Sequence, residues 1–386
     1  MSWKRNMICF IQDWYDEFDR KYTRRIEFKK YKDKRRRAIF SKIALTPKQM
    51  KEIDDLYIEN YGEKIPYTWH RHFTAFTGQF DKNYIPELLF IPEFEWFMDH
   101  KREYTKVFSD KNILPMLAKN ANVDMPKTIY SCTSGILQNA QHSIVSISDI
   151  SDLSGEFFMK PTVDSCSGQG CQVLKLENGV DSITGKTIMD IINSSGLDWV
   201  IQERLRCHHS ISDIYPDSVN TFRIMTYIWN DQICHVPAIM RIGQGGSNVD
   251  NAHAGGMFIA IDDDGTLHEK AFTEFKNEFT EHPDTHLKYN GYQIMLFPEV
   301  LKAAKRCHSL IPQIGCINWD FTIDDNGNPI LIEANIRGGS IWLFQMAHGR
   351  GIFGDKTPEI LKWLRMMKHM KKPERLKYPY GKIKND

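Results

Sequence analysis

Two carboxylates and an amide interrupt the apolar strand patterns of one segment near the C-terminal end, CINWDFTIDDNGNPILIEANIRGG. Its central Asn326-Gly327 is the dipeptide most favoured in a two-residue β-turn. A turn there sets Asp320 directly opposite Glu333 and puts Asn335 on the same face. Opposed carboxylates repel each other unless a proton, a cation or solvent relieves them. The three side chains therefore predict either a site of hard oxygen ligands suited to Mg²⁺ or a solvated polar strand face.

The same turn register assigns the other face of this hairpin to the core. The residues predicted to point into the core are Trp319, Phe321, Ile323, Ile330, Ile332 and Ala334. A helical pattern, FPEVLKAAKRCHSLI, directly precedes the hairpin. We therefore expect one face to present the polar side chains while the other face anchors the hairpin in the protein.

A glycine-containing loop between two predicted strands is the second candidate for chemistry. In FFMKPTVDSCSGQGCQVLKL the first strand delivers Lys160, and the loop after it contains Ser167, Gly168 and Gly170. Glycines let a backbone approach an anion closely, and consecutive amide groups can hold phosphate oxygens. The loop lacks the GxxxxGK[ST] pattern and no helix follows it, so it is not a P-loop. A plain hairpin connection is the alternative.

A third candidate is the polar end of an apolar strand pattern in WVIQERLRCHH. Gln202, Glu203 and Leu205 offer a side-chain acceptor and backbone groups there, which suit an adenine amino group. An ordinary strand end is the alternative.

Two arginines flank a predicted hairpin turn at Asn230-Asp231. If the turn has two residues and the strands stay regular, Arg223 and Arg241 point to opposite faces. A one-residue bulge, for example near Pro237, puts them on the same face. The sequence leaves both arrangements open.

The order of these segments resembles that of the ATP-grasp superfamily, from about Ser109 to Gly354. The matching segments are DK at 110–111, KP with the glycine loop at 160–170, IQERL at 201–205, NTFR at 220–223 and D…E-A-N at 320–335. More narrowly, YPDSVNTFRI, GSNVDNAHAGG, HPDT and IGCINWDF look like the sugar-transfer-associated ATP-grasp proteins found with bacterial surface-polysaccharide genes. The stretch MRIGQGGSNVDNAHAGG is similar to the Arg and Asn-plus-Gly-Gly pattern of the glutamate-ligase-like members.

The resemblance implies a role for each matching residue. The ATP phosphates would contact Lys111 and Lys160 beneath the loop through Ser167, Gly168 and Gly170. The rest of the nucleotide would lie against Gln202, Glu203, Leu205, His208 and Asn251. Two Mg²⁺ ions, which Mn²⁺ can replace, would bind Asp320, Glu333 and Asn335. The transferring phosphoryl group or the tetrahedral intermediate would be stabilised by Arg223, Arg241 and Arg337.

For the reaction, the resemblance implies an ATP-dependent carboxylate–amine ligase that acts through an acylphosphate. Its substrates would be a surface-polysaccharide precursor of capsule or O-antigen, such as a uronic acid, and an amine such as an amino acid. A kinase of a sugar or polyol hydroxyl on the same fold is the alternative. A non-catalytic binding protein is expected to lack one of the phosphate lysines or metal carboxylates, and this chain retains them all.

Antiparallel strand patterns mixed with helices predict an α+β fold. The resemblance makes this an ATP-grasp fold, with two α/β subdomains whose antiparallel sheets grip the nucleotide. We expect a basic, mainly helical N-terminal region at 1–108, a subdomain with the glycine loop at 109–205, a subdomain with the metal site at 206–354, and a basic C-terminal helix and tail at 355–386.

The net charge of +1 conceals an acidic body with two basic ends. Residues 1–40 carry +7 and residues 355–386 carry +6, which leaves −12 for the rest. The ends therefore either meet an anionic partner, such as a membrane surface or a lipid-linked saccharide, or dock on the acidic body. We expect no nucleic-acid partner.

Large apolar residues recur at helical spacing near the start of the chain, at Trp3, Met7, Phe10, Ile11, Trp14, Phe18 and Tyr22. They predict an amphipathic helix beside the cationic run YKDKRRR, which either lies on an anionic membrane surface or packs on its own protein. No stretch has the length of a membrane span, no signal-peptide core follows Lys4-Arg5, and the eight cysteines form no CxxC. We therefore expect a cytoplasmic protein with reduced thiols, with at most peripheral contact at the inner membrane surface.

Overall fold

The strand patterns pair into two antiparallel sheets in a computed structural model of the chain. It describes residues 2–99, 103–162 and 170–383, without the side chains of residues 2–6, 8, 9, 12, 13, 103 and 106. The strands are β1 Thr128–Thr133, β2 Ile136–Asn139, β3 Gly155–Pro161, β4 Gln172–Glu177, β5 Val180–Asp181, β6 Trp199–Glu203, β7 Thr221–Trp229, β8 Gln232–His235, β9 Ala238–Ile242, β10 Met257–Ile261, β11 Leu267–Phe272, β12 Glu278–Phe279, β13 Cys316–Ile323 and β14 Pro329–Asn335. The smaller sheet has the order β2-β1-β6-β3-β4-β5. The larger has the order β12-β11-β10-β9-β7-β13-β14, with β8 paired to β7. The expected α+β fold is confirmed.

Helices precede, connect and follow the sheets. They are α1 Ser2–Lys30, α2 Lys34–Phe40, α3 Pro47–Tyr61, α4 Thr68–Thr77, α5 Glu87–Leu89, α6 Trp96–Met98, α7 Glu103–Phe108, α8 Leu114–Asn120, α9 Ile188–Ser194, α10 His209–Ser212, α11 Phe297–Ser309, α12 Trp342–His348, α13 Thr357–His369 and α14 Lys372–Arg375, with a π-helix, Phe90–Glu95, between α5 and α6. Local chemistry sets their ends. In α3, Thr46 and Gln49 form a reciprocal capping box at the start, and Gly62 ends the helix with a φ of 88°.

The smaller sheet has one apolar and one functional face. Phe157, Met159, Leu174 and Ile201 pack against the apolar side of α9. Because side chains alternate along a strand, Phe158 and Lys160 lie on the opposite face of β3, and Gln202 of β6 pairs with Phe158. This second face is turned toward the larger sheet, where both contribute to one cleft.

Helices pack on both faces of the larger sheet. Helix α11 packs on one face against the apolar side of β13, including Trp319 and Phe321. On the other face, Met225 and Phe258 belong to a core that also contains residues of α3, α4, α12 and α13. The N-terminal helical region and the C-terminal helix thus share one core with the larger sheet.

The hairpin loop that joins β13 to β14 is longer than predicted. Ile323 pairs with Pro329, which is one residue out of the register that a two-residue Asn326-Gly327 turn would set. The amide of Asp324 instead donates to the carbonyl of Asn328 at 3.0 Å. The predicted two-residue turn is therefore wrong, and the loop has one residue more on its first side.

An irregularity within the same hairpin compensates for the longer loop. The register shifts between Asp320 and Phe321, so that Asp320 still pairs with Glu333. The extra residue is Ile332, which lines the cleft rather than the core, and Leu331 takes the core position. The predicted pairing of the carboxylates is confirmed, whereas the predicted inward position of Ile332 is wrong.

A register shift also determines where the two arginines point. Thr226 of β7 pairs with His235 of β8, and Arg223 of β7 pairs with Ile239 of β9. Three steps along β7 thus correspond to four steps along the chain that contains Pro237. Because of this extra residue, Arg241 lies opposite Thr221 and on the same face as Arg223.

Helix α1 spans the segment predicted to be helical, but its apolar residues face away from the protein. Phe10, Trp14, Phe18 and Tyr22 are all exposed, and the side chain of Trp3 lies outside the described residues. Among the residues that the structure describes, no helix combines the length and apolarity that a membrane crossing needs.

Candidate active site

A cleft of about 620 Å³ opens between the functional face of the smaller sheet and the larger sheet. The smaller sheet contributes Phe158, Lys160, Val173 and Gln202, and the segment after β6 contributes Leu205. The larger sheet contributes Thr221, Arg223, Arg241, Asp320, Ile332, Glu333 and Asn335. This volume lies within the range of small-molecule sites. Residues that are far apart in the sequence thus meet in one concave, strongly charged space.

Two buried lysines from different segments enter the cleft. Lys111 precedes α8, and its Nζ lies 3.3 Å from a carboxylate oxygen of Glu333. Lys160 is 5% exposed on β3. Burial and then the nearby charge of Lys111 lower the pKa of Lys160 to about 8. Two ammonium groups in the lining of one cleft suit a polyanionic ligand.

The glycine loop lies largely beyond the described part of the chain. Ser167 and Gly168 are outside the described residues. Gly170 has a φ of 75°, and a Cβ added to it would lie 2.9 Å from the ring of Pro161. Glycine is therefore required where the loop returns to β4. Gly170 itself is not among the described residues that line the cleft, although Cys171 is.

The end of β6 forms the third part of the cleft. The side-chain amide of Gln202 donates to the carbonyl of Pro126 at 3.0 Å and to Thr128 Oγ1 at 3.2 Å. Glu203 accepts a hydrogen bond from Lys127 at 2.8 Å. With Leu205, these residues give one end of the cleft both apolar surface and acceptors.

Asp320 is the centre of the charged network on the larger sheet. It accepts hydrogen bonds from Arg223 and, at 3.1 Å, from Arg241. The amide of Asn335 lies 3.3 Å from the same carboxylate. Burial alone would raise the pKa of Asp320, but the two guanidinium groups hold it below its usual range. The carboxylate is therefore ionised in the folded protein.

One carboxylate in the cleft, Asp250, was not predicted from the sequence. Asp250 accepts hydrogen bonds from Thr221 and lies 3.5 Å from Arg241. Burial raises its pKa despite that guanidinium. Two signals in the sequence could have indicated Asp250. It is adjacent to Asn251, and a buried arginine needs a counter-charge.

Two residues that the resemblance marked are not brought into the cleft. His208 caps α10, its Nδ1 lying 2.9 Å from Ser210 Oγ. Arg337 reaches away to Asp19 of α1 at 3.2 Å and lies over the ring of Trp96. Neither is among the described residues that line the cleft. The structure therefore places Arg337 outside the cleft lining, and its role in the reaction stays a prediction. By contrast, Asn251 lines the cleft as expected.

The oxygen donors of the cleft fit a hard divalent cation. Asp320 and Glu333 are directly paired across β13 and β14, with Asn335 next to them on the same face. Their charges are balanced by Arg223, Arg241 and Lys111. Carboxylate and amide oxygens of this kind are the ligands that Mg²⁺ prefers. The donor set is thus chemically suited to that ion, while the cations favour an anionic ligand beside it.

Comparison with known proteins agrees with this geometry. Residues 93–359, more than half of the chain, match the family described as sugar-transfer associated ATP-grasp. The chain therefore belongs to the sugar-transfer associated ATP-grasp family. No curated protein matches it.

Several solved structures are similar to this chain at low identity. An L-amino acid ligase from Bacillus licheniformis is 13% identical with a TM-score of 0.39, over 69% of this chain and 49% of that chain. A D-alanine–D-alanine ligase from Bacillus anthracis, solved with ATP, is 12% identical with a TM-score of 0.37, over 70% and 66% of the two chains. An N5-carboxyaminoimidazole ribonucleotide synthetase in its ADP complex is 11% identical with a TM-score of 0.36, over 60% and 45%. This chain thus spans about half the length of the L-amino acid ligase and of the N5-carboxyaminoimidazole ribonucleotide synthetase.

Proposed function

We propose that the protein is an ATP- and Mg²⁺-dependent ligase that joins a carboxylate to an amine. The observation that carries the proposal is the meeting of Lys111, Lys160, Arg223 and Arg241 with paired carboxylates in one cleft between two sheets. Phosphoryl transfer depends on charge neutralisation and alignment more than on a protein nucleophile. The cleft supplies these two requirements.

In this proposal each side of the cleft has a separate task. The adenine lies at the end of β6, against Gln202, Glu203 and Leu205. The phosphates extend toward Lys111 and Lys160, whose positive charges bind them. The nucleotide is then held between the two sheets, with its γ-phosphate turned toward the charged network of the larger sheet.

The metal would be held by the oxygen donors of the hairpin. Asp320, Glu333 and Asn335 would bind Mg²⁺, one or two ions, with Mn²⁺ as a substitute. When bound, the metal neutralises phosphate charge. Because Arg223 and Arg241 contact Asp320 in the structure, they lie close enough to place positive charge on the reacting groups next to it.

The proposed reaction has two steps. An oxygen of the substrate carboxylate attacks the γ-phosphorus, the bond from that phosphorus to the bridging oxygen of ADP breaks, and an acylphosphate forms. The amine then attacks the acyl carbon, inorganic phosphate leaves with the bonding electrons, and the amine loses a proton to solvent. Arg223 and Arg241 stabilise the negative charge that develops on the phosphoryl oxygens and on the tetrahedral intermediate.

For substrates, we propose a surface-polysaccharide precursor of capsule or O-antigen, such as a uronic acid, joined to an amine such as an amino acid. The family description, which associates these proteins with sugar transfer, supports a saccharide substrate. The carboxylate of a uronic acid is the group that the acylphosphate step needs.

The experiment is a screen for ADP release over uronic acids, nucleotide sugars and amino acids in pairs, followed by mass spectrometry. A ligase gives free phosphate with the ADP and a product equal to the two substrates less water. A phosphorylated product without free phosphate would replace the proposal by a kinase of a sugar or polyol hydroxyl. Absence of ATP binding by calorimetry with Mg²⁺ present would refute both.

A further inference from the structure

Helix α1 is attached to the protein through its charged side. Arg20 and Arg24 reach the buried carboxylate of Glu93 at 3.1 Å and 2.9 Å. Tyr61 also donates to that carboxylate, at 2.8 Å. Farther along the helix, Glu27 is buried. This is the reverse of an ordinary surface helix, which buries its apolar face and exposes its charges.

The opposite side of α1 exposes a continuous aromatic surface. Its members include Phe10 at 72%, Trp14 at 64%, Tyr15 at 62%, Phe18 at 54% and Tyr22 at 53% exposed. The ring centroids of Trp14 and Phe18 are 5.9 Å apart, and those of Phe18 and Tyr22 are 6.4 Å apart. Because residues four apart share a helix face, these rings form one stripe. An exposed apolar surface of this kind marks an interaction site.

A stripe of cations lies next to the aromatic stripe. Lys21, Arg25 and Lys29 are exposed and spaced four residues apart, three residues after Phe18, Tyr22 and Ile26 respectively. Arg25 and Lys29 form no ion pair with any other described side chain, and Lys21 lies 3.6 Å from Glu17. The cationic surface continues past the helix end through Lys32, Lys34, Arg35 and Arg37, all exposed.

The acidic residues of α1 are turned the other way. Among its described side chains, Asp16, Glu17, Asp19 and Glu27 are half-buried or buried. Asp16 pairs with Lys372 at 2.9 Å and Asp19 with Arg337 at 3.2 Å. The helix therefore holds its described carboxylates against the body, and it presents Lys21, Arg25 and Lys29 beside the aromatic rings.

We propose that the outer face of α1 docks on an anionic lipid bilayer. Aromatic rings with flanking lysine and arginine are the combination that binds the headgroup region, where the rings enter the interface and the cations meet lipid phosphates. A second copy of the chain is a poorer occupant, because a symmetric contact would bring the same cations together while the acidic residues stay turned inward.

The docking face is joined directly to the active cleft. Arg337 follows the cleft residue Asn335 by two positions, and its pair with Asp19 fastens α1 beside that edge of the larger sheet. Docking would therefore hold the cleft close to the bilayer surface. This suits an acceptor carried by a membrane lipid, such as a lipid-linked saccharide.

The test is flotation of the full-length protein with vesicles of phosphatidylcholine alone and of phosphatidylcholine with phosphatidylglycerol. Wild-type protein is expected to float with the anionic vesicles only. Arg25→Gln with Lys29→Gln should lower the partition coefficient about five-fold per neutralised cation. Trp14→Ser with Phe18→Ser should abolish flotation. Met295→Ser, which changes an even more exposed apolar residue elsewhere, should have no effect.

Three results would overturn the proposal. The first is a wild-type protein that stays at the bottom with anionic vesicles, and the second is a pair of helix variants that float like the wild type. The third is a wild-type dimer in light scattering that Trp14→Ser with Phe18→Ser makes monomeric, since the face would then bind a second copy. The charge variant alters no packed side chain, so it tests the proposal even if the aromatic variant loses stability.

Discussion

Asp320 is the shared acceptor of Arg223 and Arg241, two arginines on neighbouring strands that a single extra residue near Pro237 brings to one face. The carboxylate is 2% exposed, so it balances two guanidinium groups in a space of low polarity. The same carboxylate is the proposed metal ligand. Binding of a cation and of phosphates would therefore exchange one set of charge partners for another, with the arginines moving to the phosphates.

Replacement of Asp320 by asparagine should be costly for folding as well as for activity. Removing one member of a buried charge network leaves the others uncompensated, which costs about 3 to 5 kcal/mol. We expect Asp320→Asn to lower the free energy of unfolding, measured by urea denaturation, by that amount and to abolish ATP turnover. Asp325→Asn, in the exposed hairpin loop, should change neither. Wild-type stability of Asp320→Asn would contradict the central place of this carboxylate.

Replacement of Glu333 should affect activity alone. Its side chain is 32% exposed and makes one ion pair with Lys111, so its loss should cost less stability than the loss of the fully buried Asp320. Glu333→Ala should abolish ATP turnover while the circular dichroism spectrum and the unfolding midpoint stay close to those of the wild type. Unimpaired turnover in that variant would refute the metal site. Glu299→Ala, on the exposed side of α11, is the matched control.

The two hairpin carboxylates could be found from the sequence because their pairing survives a change in the loop. The prediction assumed a two-residue turn, and the actual longer loop is compensated by the irregularity at Ile332. Local turn chemistry did not reveal that compensation, because the preference of Asn-Gly for a tight turn is weaker than the packing of Leu331 and the pairing along β13. Alternation of side chains nevertheless sufficed to place Asp320 and Glu333 together.

The direction of Arg337 and the orientation of α1 could not be predicted in the same way. Helical spacing shows which residues share a face, but it does not say which face meets the protein. That choice depends on the buried carboxylate of Glu93, which is distant in sequence from Arg20 and Arg24. The direction of the Arg337 side chain likewise depends on its ion pair with Asp19, which is 318 residues away in the sequence. Long-range charge pairing therefore determines the orientation of α1 and the direction of Arg337, which the local sequence pattern does not specify.

Substitution of Arg223 should lower activity, whereas substitution of Arg337 should not. Arg223 contacts Asp320 within the cleft, so Arg223→Ala should lower kcat/KM for ATP about 10²- to 10³-fold, as loss of a transition-state donor does. Arg337 lies outside the cleft, so Arg337→Ala should leave the ADP-release rate in detergent-free buffer unchanged. A comparable loss in both variants would show that Arg337 reaches the reacting groups.

The attachment of α1 should depend on Glu93. This carboxylate accepts hydrogen bonds from Arg20, Arg24 and Tyr61, and its side chain is fully buried. Glu93→Gln keeps the size of the side chain but removes the charge. It should cost about 3 to 5 kcal/mol, because the buried network loses the carboxylate that its two arginines share. Faster amide hydrogen exchange should follow in α1 and not in β13. Glu59→Gln, at an exposed position of α3, should have little effect.

The pH dependence of nucleotide binding should report Lys160. Burial and Lys111 lower its pKa to about 8, whereas an unfolded lysine titrates near 10.4. Between these values the unfolded chain binds more protons than the folded one, so this group alone makes the protein more stable as pH rises from about 8 to 10. ATP binding should change in the opposite direction, because it requires the charged ammonium. Affinity measured by calorimetry should therefore fall as pH rises through about 8, and Lys160→Arg, which stays charged, should flatten the profile. The same inflection in Lys160→Arg would assign the titration to another group.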